Sequence, residues 1–272
     1  IKAFKMDGLG NDFVIIDQRS QNYNLTKDQI IKICDRNFIG CDQLIFIQNS
    51  NKKDAELEFY NSDGSISGAC GNGTRCVADL LSKENNDKEI ILWTSSGALK
   101  SQILYNNLVE TEIGVPKTNW NEIPLNKNLD TKNLNIKIVN KNNIEHIGGT
   151  SVNVGNPHVV FFVDNIEEYD LKKIGPEIEN HNYFPEKCNV TLAKVISKKL
   201  IKVKVWERGA GLTKACGTAA CATAVAANIN GLTDKKTDIE FALGKLSITI
   251  DENNSIHMKG PVSDIRNIEI NI

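Results

Sequence analysis

The sequence has no excess of charge of either sign: 32 Lys and Arg stand against 34 Asp and Glu, and the net charge is −2. It also lacks a basic block of the kind that follows a phosphate backbone, so we expect no nucleic-acid partner. No apolar run approaches the roughly 18 residues of a membrane span, and the first residues lack the apolar stretch of a signal peptide. We therefore expect no membrane partner and a cytoplasmic location.

Signatures of common nucleotide and metal sites are missing as well. The segment GLGNDF (8–13) lacks the third glycine of a dinucleotide fingerprint, and GAGLTKACG (209–217) lacks the GK[ST] of a phosphate-binding loop. Cys70, Cys76, Cys216 and Cys221 are spaced by five and then four intervening residues, which fits the usual thiolate pairing of zinc sites poorly. A nucleotide-binding protein and a cysteine metal-binding module remain as alternatives, and we expect no metal.

Disulfide frameworks are not indicated. The chain has seven cysteines, an odd number, and we expect no export signal and therefore thiols in a reducing compartment. Cys34 falls on the apolar side of a predicted helix. Cys76 and Cys221 are expected in the core, where most free cysteines pack.

The 272 residues suffice for two domains at roughly 100–200 residues each. Thr26 and Gln29 form a predicted capping box for a helix that reaches about Arg36. A second helix should begin near Cys70, and the Asn- and Lys-rich residues 119–145 are expected to connect the domains, with one strand in Asn135–Asn140. Short β-branched or alternating runs predict strands at Ile1–Lys5, Phe13–Asp17, Gln43–Gln48, Glu56–Tyr60, Glu89–Trp93, Leu99–Leu104 and Leu108–Ile113.

The second half of the sequence repeats the first. The Gly-Asn pair at 10–11 recurs at 155–156, and Ala-Cys-Gly at 69–71 recurs at 215–217. Internal similarity at one offset indicates two copies of one module. We predict an α+β fold of two pseudo-twofold-related modules, each a mostly antiparallel sheet or barrel around a helix, with the active site in the cleft between them. The expected division is 1–118, a connection at 119–145, and 146–272, whose last strands can return to the first module.

The repeated Ala-Cys-Gly turns predict the chemistry. Each places a cysteine where a helix begins, and the unsatisfied N–H groups there favour a carboxylate and a thiolate. We therefore expect lowered thiol pKa values for Cys70 and Cys216. Two such thiols on opposite faces of one carbon could remove a proton from one face and supply a proton to the other. That arrangement predicts a racemase or epimerase that uses no pyridoxal phosphate.

The motifs GLGNDF, NSDGS, ACGNGTRC, GNPHVV and ERGAGLTKACGTAACA, in this order, closely resemble the diaminopimelate epimerase family. The resemblance implies interconversion of LL- and meso-diaminopimelate without a cofactor, in the biosynthesis of lysine and peptidoglycan precursors, by a homodimer. It implies Cys70 and Cys216 as the acid/base pair, with His158 and Glu207 as their respective tuning partners. The substrate contacts it implies are Asn11, Gln43, Asn61, Gly71, Asn72, Asn156, Asn189, Glu207, Arg208, Gly217 and Thr218.

Related isomerases remain as alternatives to this assignment. Proline-racemase-like enzymes and phenazine-biosynthesis-type isomerases share the duplicated architecture. Retention of both cysteines disfavours the phenazine type, and the Asn-rich contact set disfavours the proline racemases. Arg208 is suited to hold a distal carboxylate, because a guanidinium can bind it through two parallel hydrogen bonds.

Overall fold

The computed structural model describes residues 1–68, 70–95, 97–105 and 107–272. Its fold is α+β, as predicted, with a few helices packed on extensive sheet. The helices are α1 (Lys27–Cys34), α2 (Gly71–Asn85), α3 (Leu171–Glu179) and α4 (Gly217–Ile229). The strands are β1 (Lys2–Gly8), β2 (Asn11–Asp17), β3 (Gln43–Gln48), β4 (Ala55–Asn61), β5 (Ile66–Ser67), β6 (Glu89–Thr94), β7 (Gly97–Ile103), β8 (Leu108–Gly114), β9 (Ile136–Val139), β10 (Glu145–Gly148), β11 (Thr150–Asn153), β12 (Pro157–Phe162), β13 (Asn189–Ser197), β14 (Leu200–Glu207), β15 (Gly211–Thr213), β16 (Lys236–Phe241), β17 (Gly244–Ile250), β18 (Ile256–Pro261) and β19 (Arg266–Glu269).

The strand predictions for the first half of the chain are confirmed. All seven predicted strands are present, and β3 has the predicted bounds. The strand expected in Asn135–Asn140 is β9. None of the described helices is both long enough and apolar enough to cross a lipid bilayer.

The first unit comprises Ile1–Glu112 together with Lys259–Ile272. Its central strands run β1, β2, β3 and β4, with β2 parallel to β3 and the other two pairs antiparallel. The C-terminal strand β19 pairs antiparallel with β1. Helix α2 packs on this sheet and comes so close that a Cβ on Gly73 would lie 2.7 Å from Ile45 Cδ1. Glycine at this position therefore lets the helix that follows Cys70 lie against the sheet.

Helix α1 begins as the sequence predicts. Thr26 Oγ1 accepts the Gln29 backbone N–H at 3.3 Å, and Gln29 Oε1 accepts the Thr26 N–H at 2.9 Å, which forms the predicted capping box. The helix ends at Cys34, two residues before the expected end at Arg36. Its buried face consists of Ile30, Ile33 and Cys34.

The second unit comprises Ile113–Met258. Strands β11 and β12 are antiparallel, β12 and β13 parallel, and β13 and β14 antiparallel. Helix α4 is buried on nearly all sides because its residues are mostly alanines and other small side chains. The segment 119–145, expected as a connection, packs into the core of this unit through Ile123, Leu125, Leu134, Ile136 and Ile138.

From β11 onward, the second unit repeats the order of elements of the first, and the register of β13 with β14 matches that of β3 with β4. In the first unit Gln43 is paired with Asn61. The residues 146 positions further on are Asn189 and Glu207, and the adjacent pair in the second unit is Val190 with Trp206, which continues that register. The sequence repeat is therefore a structural repeat, and it gives each unit a strand end and a helix start of the same kind.

Candidate active site

The two cysteines of the repeated turns occupy equivalent positions. Cys70 is the N-cap of α2 with φ −140° and ψ 111°, and Cys216 is the N-cap of α4 with φ −140° and ψ 117°. Cysteine supplies no strong oxygen acceptor for a helix start, unlike Ser, Thr, Asp or Asn. The first-turn N–H groups can therefore serve a substrate carboxylate. Ala69, the first residue of the first Ala-Cys-Gly motif, lies outside the described residues.

The predicted contact residues divide between the two units. The first unit holds Asn11, Gln43, Asn61, Cys70, Gly71 and Asn72, and the second holds Asn156, His158, Asn189, Glu207, Arg208, Cys216, Gly217 and Thr218. Within each unit, the predicted residues lie at strand ends and beside the helix start.

In the first unit, Asn11 links the cysteine to the first turn of α2. Asn11 Oδ1 lies 3.8 Å from the Cys70 sulfur and accepts Asn72 Nδ2–H at 3.2 Å. Its own Nδ2 donates to Asp42 Oδ2 at 2.9 Å. The orientation of the Asn11 amide is thus set from both ends, with its oxygen toward the thiol.

Gln43 and Asn61 form a second polar pair of the first unit. They face each other across β3 and β4, and Gln43 Nε2 donates to Asn61 Oδ1 at 2.9 Å. Asn61 Nδ2 donates onward to Ser65 Oγ at 3.0 Å. These amides are oriented by one another and present both donor and acceptor groups.

Two charged groups that support Asn11 were not found from the sequence. Asp42 accepts from Asn11, and Arg36 binds both Asp42 Oδ1 at 2.6 Å and Asp12 at 2.7 and 2.8 Å. Burial acts to raise the pKa of Asp12, but Arg36 and Lys5 outweigh it and lower that pKa. The position of Asp42 directly before Gln43 is the only signal that the sequence offered.

Arg75 is a third group that the sequence analysis missed. This arginine of α2 is fully buried, and its Nη2 donates to Asn72 Oδ1 at 2.8 Å. It therefore holds the side chain of Asn72 in the first turn of the helix, where the resemblance implies a substrate contact.

The second unit corrects the expectation of a lowered pKa at Cys216. The residue is only 6% exposed, and burial raises the pKa of its thiol well above the ordinary value, with the charge of Glu207 acting in the same direction. The Thr218 hydroxyl and the Ala219 backbone N–H lower the pKa by less. The helix start does favour the thiolate, but desolvation outweighs it. Cys216 is therefore a protonated thiol at neutral pH.

Glu207 and Thr218 are brought to Cys216. The Cys216 sulfur lies 3.4 Å from Thr218 Oγ1. Glu207 interacts with the same thiol through its charge and a hydrogen bond, and it also accepts a short hydrogen bond from the Thr213 hydroxyl. Thr213 thus fixes the carboxylate that faces the thiol.

His158 is a buried, neutral imidazole. Its side chain is inaccessible to solvent, and burial, followed by the charge of Arg208, lowers its pKa to about 3. Its Nε2 lies 2.8 Å from Asn156 Oδ1, so this nitrogen carries the proton in the assigned orientation of the amide. Nδ1 is then a bare acceptor, and it has no hydrogen-bond partner among the described residues.

Arg208 is held by its backbone and by its side chain. Its N–H donates to Asn189 Oδ1 at 3.0 Å, and Nη1 donates to the Glu186 carbonyl at 2.9 Å. Asn189 is itself buried and donates to the Pro157 carbonyl at 3.0 Å. Asn189, whose role was expected from the resemblance, thus ties the strand that carries His158 to the loop that carries Arg208.

The remaining cysteines are core residues. Cys34, Cys41, Cys76, Cys188 and Cys221 are all at most 4% exposed. Burial raises the pKa of Cys76 and of Cys188. Within the described ranges, no three His, Cys, Asp or Glu side chains are grouped as metal ligands would be.

Sequence comparisons agree with the motifs. The family model described as diaminopimelate epimerase matches residues 3–118 and 150–265. A diaminopimelate epimerase of Pelagibacter ubique is 76% identical over 272 residues, which is 100% of this chain and 99% of the relative. The diaminopimelate epimerase of Phenylobacterium zucineum is 43% identical over 260 residues, covering 95% of this chain and 94% of the relative.

Solved structures agree with the fold. A phenazine biosynthesis protein of the PhzF family from Bacillus anthracis matches with a TM-score of 0.69 at 15% identity, covering 100% of this chain and 99% of the other. A hydroxyproline epimerase from Agrobacterium vitis matches with a TM-score of 0.66 at 12% identity, covering 98% and 90%. At these identities the likeness concerns the fold alone.

Proposed function

Because this chain belongs to the diaminopimelate epimerase family, and is therefore an isomerase that acts on a small molecule, we propose that it interconverts LL- and meso-diaminopimelate by a two-base mechanism. One cysteine removes the α-proton as a thiolate, and the other delivers a proton to the opposite face as a thiol. Electrons and protons balance, because the pair of electrons left on the α-carbon takes the new proton. No cofactor is needed for this reaction.

The observation that carries the proposal is the equivalence of Cys70 and Cys216. Both are N-caps with nearly the same backbone angles, one in each copy of the module. The raised pKa of Cys216 keeps its proton in place. We assign Cys216 as the acid when Cys70 acts as the base, and the two exchange roles in the reverse direction.

The helix starts supply the electrostatic part of catalysis. When the α-proton leaves, negative charge spreads onto the neighbouring carboxylate, and N–H groups already oriented toward it stabilise that charge. We assign this role to the first turns at Gly71 and Asn72 and at Gly217 and Thr218. Asn11 orients the first thiol, since its oxygen lies 3.8 Å from the Cys70 sulfur.

The remaining polar groups are proposed to recognise the second amino-acid head of the substrate. Arg208 binds the distal carboxylate, and amides of the strand ends bind the amino and carboxylate groups. The amides assigned here are Gln43, Asn61, Asn156 and Asn189. His158 and Glu207 are proposed to tune the acid/base pair, and the contact of Glu207 with Cys216 supports its part.

The wider setting follows from the family. We propose that the enzyme acts in the biosynthesis of lysine and peptidoglycan precursors, in the cytoplasm, and as a homodimer. Sedimentation of the purified protein at micromolar concentration tests the last point, because a monomer would contradict it.

The decisive experiment follows the α-proton. The purified, reduced protein is incubated with LL-diaminopimelate in D2O, and proton loss and meso product are recorded by NMR. We expect both, and we expect lysine and proline to react very slowly, since neither carries the distal amino-acid head. Absence of exchange and of meso product would overturn the proposal. Efficient racemisation of proline would instead indicate a proline racemase.

Each cysteine can be tested separately. Cys70→Ala and Cys216→Ala each leave one face of the α-carbon without an acid or base, so epimerisation should fall by about three orders of magnitude or more. Cys221→Ala, on the same helix as the second thiol but in the core, is the matched control and should stay within several-fold of wild type. Near-normal epimerisation by Cys216→Ala would remove that residue from the mechanism.

A further inference from the structure

Glu207 and Arg208 lie where β14 ends and turns, and this segment, 206–209, which we call the 206–209 loop, is bound on both sides by one carboxylate. Glu179 is the last residue of α3 and is only 6% exposed. Its Oε2 accepts the indole N–H of Trp206 at 2.7 Å, and its Oε1 accepts the backbone N–H of Gly209 at 3.0 Å. The two donors are the residues immediately before and after the Glu207–Arg208 pair.

The helix is shaped to receive this loop. Gly175 lies under the indole of Trp206, and a Cβ at that position would fall 2.5 Å from Trp206 Cγ. The ring therefore packs directly on the backbone of α3, one turn before Glu179. The steric contact fixes the plane of the indole, and the carboxylate fixes its N–H.

The cost of burying this carboxylate argues for a specific role. A buried polar group is destabilising unless it is hydrogen-bonded, and both oxygens of Glu179 are used on the loop. Leu171, Ile174, Gly175 and Ile178 form the apolar face of α3. Glu179 falls on the same face, where a residue serving only the core would be apolar.

We propose that Glu179 is a positioning residue that fixes Glu207 and Arg208 in their working orientations by binding the loop at Trp206 and Gly209. This inference rests on the proposed function, which assigns Glu207 to the second thiol and Arg208 to the distal carboxylate. Glu179 acts through these two residues. It also shares the task with Asn189, which accepts the Arg208 N–H at 3.0 Å.

The test is a double-mutant cycle. Glu179→Gln keeps one acceptor oxygen and turns an NH2 group toward the other N–H. Two hydrogen-bond donors then face each other, and the buried N–H is left without an acceptor. We expect kcat/KM for LL-diaminopimelate to fall about 10- to 100-fold, with KM raised, because the distal head is held less well. Trp206→Phe removes only the indole N–H and should cost several-fold in the same direction.

The double variant separates positioning from simple packing. In Glu179→Gln/Trp206→Phe the glutamine oxygen can accept the Gly209 N–H while its NH2 group no longer faces a donor. We therefore expect kcat/KM of the double variant to equal or exceed that of Glu179→Gln. Two independent packing defects would instead multiply their losses.

Controls keep this inference apart from stability and from the proposed function. Glu177→Gln makes the same chemical change at an exposed position of α3 and should leave kcat and KM unchanged. A smaller folded fraction lowers the apparent kcat but not KM, so thermal unfolding is measured on every variant.

An inactive wild type would refute the proposed function. An active wild type with unchanged KM in both Glu179→Gln and Trp206→Phe, or with strictly multiplicative losses, would refute the positioning role while the function stands. If Glu179→Gln does not fold, the KM of Trp206→Phe decides.

Discussion

At the scale of single residues, burial decides which proton states are available. Cys216 sits at a helix start, yet its pKa is raised because desolvation and the charge of Glu207 outweigh the nearby donors. His158 has its pKa lowered to about 3 because burial disfavours an imidazolium, and the charge of Arg208 acts in the same direction. Burial away from water thus favours both the protonated thiol of Cys216 and the neutral imidazole of His158.

The state of His158 predicts how stability depends on pH. Its pKa is lowered to about 3 in the folded chain, whereas an unfolded histidine titrates near 6.5. Between these values the unfolded chain binds a proton that the folded chain does not. The free energy of unfolding should therefore fall as the pH is lowered below about 6.5, with a contribution from His158 of up to about 1.4 kcal/mol per pH unit.

His158→Gln removes this contribution, so its free energy of unfolding should change less steeply between about pH 6 and pH 4.5. Urea unfolding at several pH values measures the slope. His146→Gln, at a partly exposed position, controls for the loss of an imidazole. Equal slopes for His158→Gln and wild type would show that His158 is not held neutral by burial.

At the scale of elements, local sequence signals determine where the helices begin, and close packing determines how near they lie to the sheet. The capping box of α1 joins Thr26 and Gln29 by two reciprocal hydrogen bonds. Helix α2 needs Gly73 to approach Ile45 and Phe59. The placement of the helix after Cys70 therefore depends both on the Ala-Cys-Gly motif and on the absence of a side chain at Gly73.

The capping box of α1 gives a stability prediction. Thr26→Ala removes the side-chain acceptor for the Gln29 N–H and should lower the free energy of unfolding by about 1 kcal/mol. Epimerisation should be unchanged, because α1 carries none of the proposed site residues. Thr26→Ser keeps the hydroxyl and should recover most of the loss in urea unfolding. A loss of equal size in Thr26→Ser would mean that the methyl group, not the cap, matters.

At the scale of the whole molecule, duplication supplies the proposed reaction with two thiols at helix starts. Each unit contributes a thiol at a helix start and oriented amides at its strand ends. Base, acid and stabilisation of the carboxylate are then all provided by the chain itself. The proposed mechanism uses no pyridoxal Schiff base and gives no role to Lys214, which directly precedes the second Ala-Cys-Gly turn.

Activity should therefore survive removal of metals. After exhaustive dialysis against a chelator, in the presence of a thiol reductant, we expect the rate of epimerisation to stay within about twofold of the untreated enzyme. The absorbance spectrum should show no band of a pyridoxal aldimine. A loss of activity that zinc restores would support the metal-binding alternative.

Much of this protein is determined by its sequence alone, because the relevant interactions are local or repeated. A short apolar run bounded by two glutamines places β3, reciprocal Thr26–Gln29 hydrogen bonds begin α1, and two copies of Ala-Cys-Gly mark the starts of α2 and α4. These features need only neighbouring residues, or comparison of the chain with itself. The family resemblance added the candidate contacts in the same way, motif by motif.

Other features were decided only by the tertiary structure. The pKa of Cys216 depends on how deeply the residue is buried, and the bond of Glu179 to Trp206 spans 27 residues. The core role of Ile123 and Leu125 arises from a segment without clear periodicity, and β19 joins β1 from the far end of the chain. Burial and long-range pairing arise from the packing of distant segments, and no local pattern encodes which segments those will be.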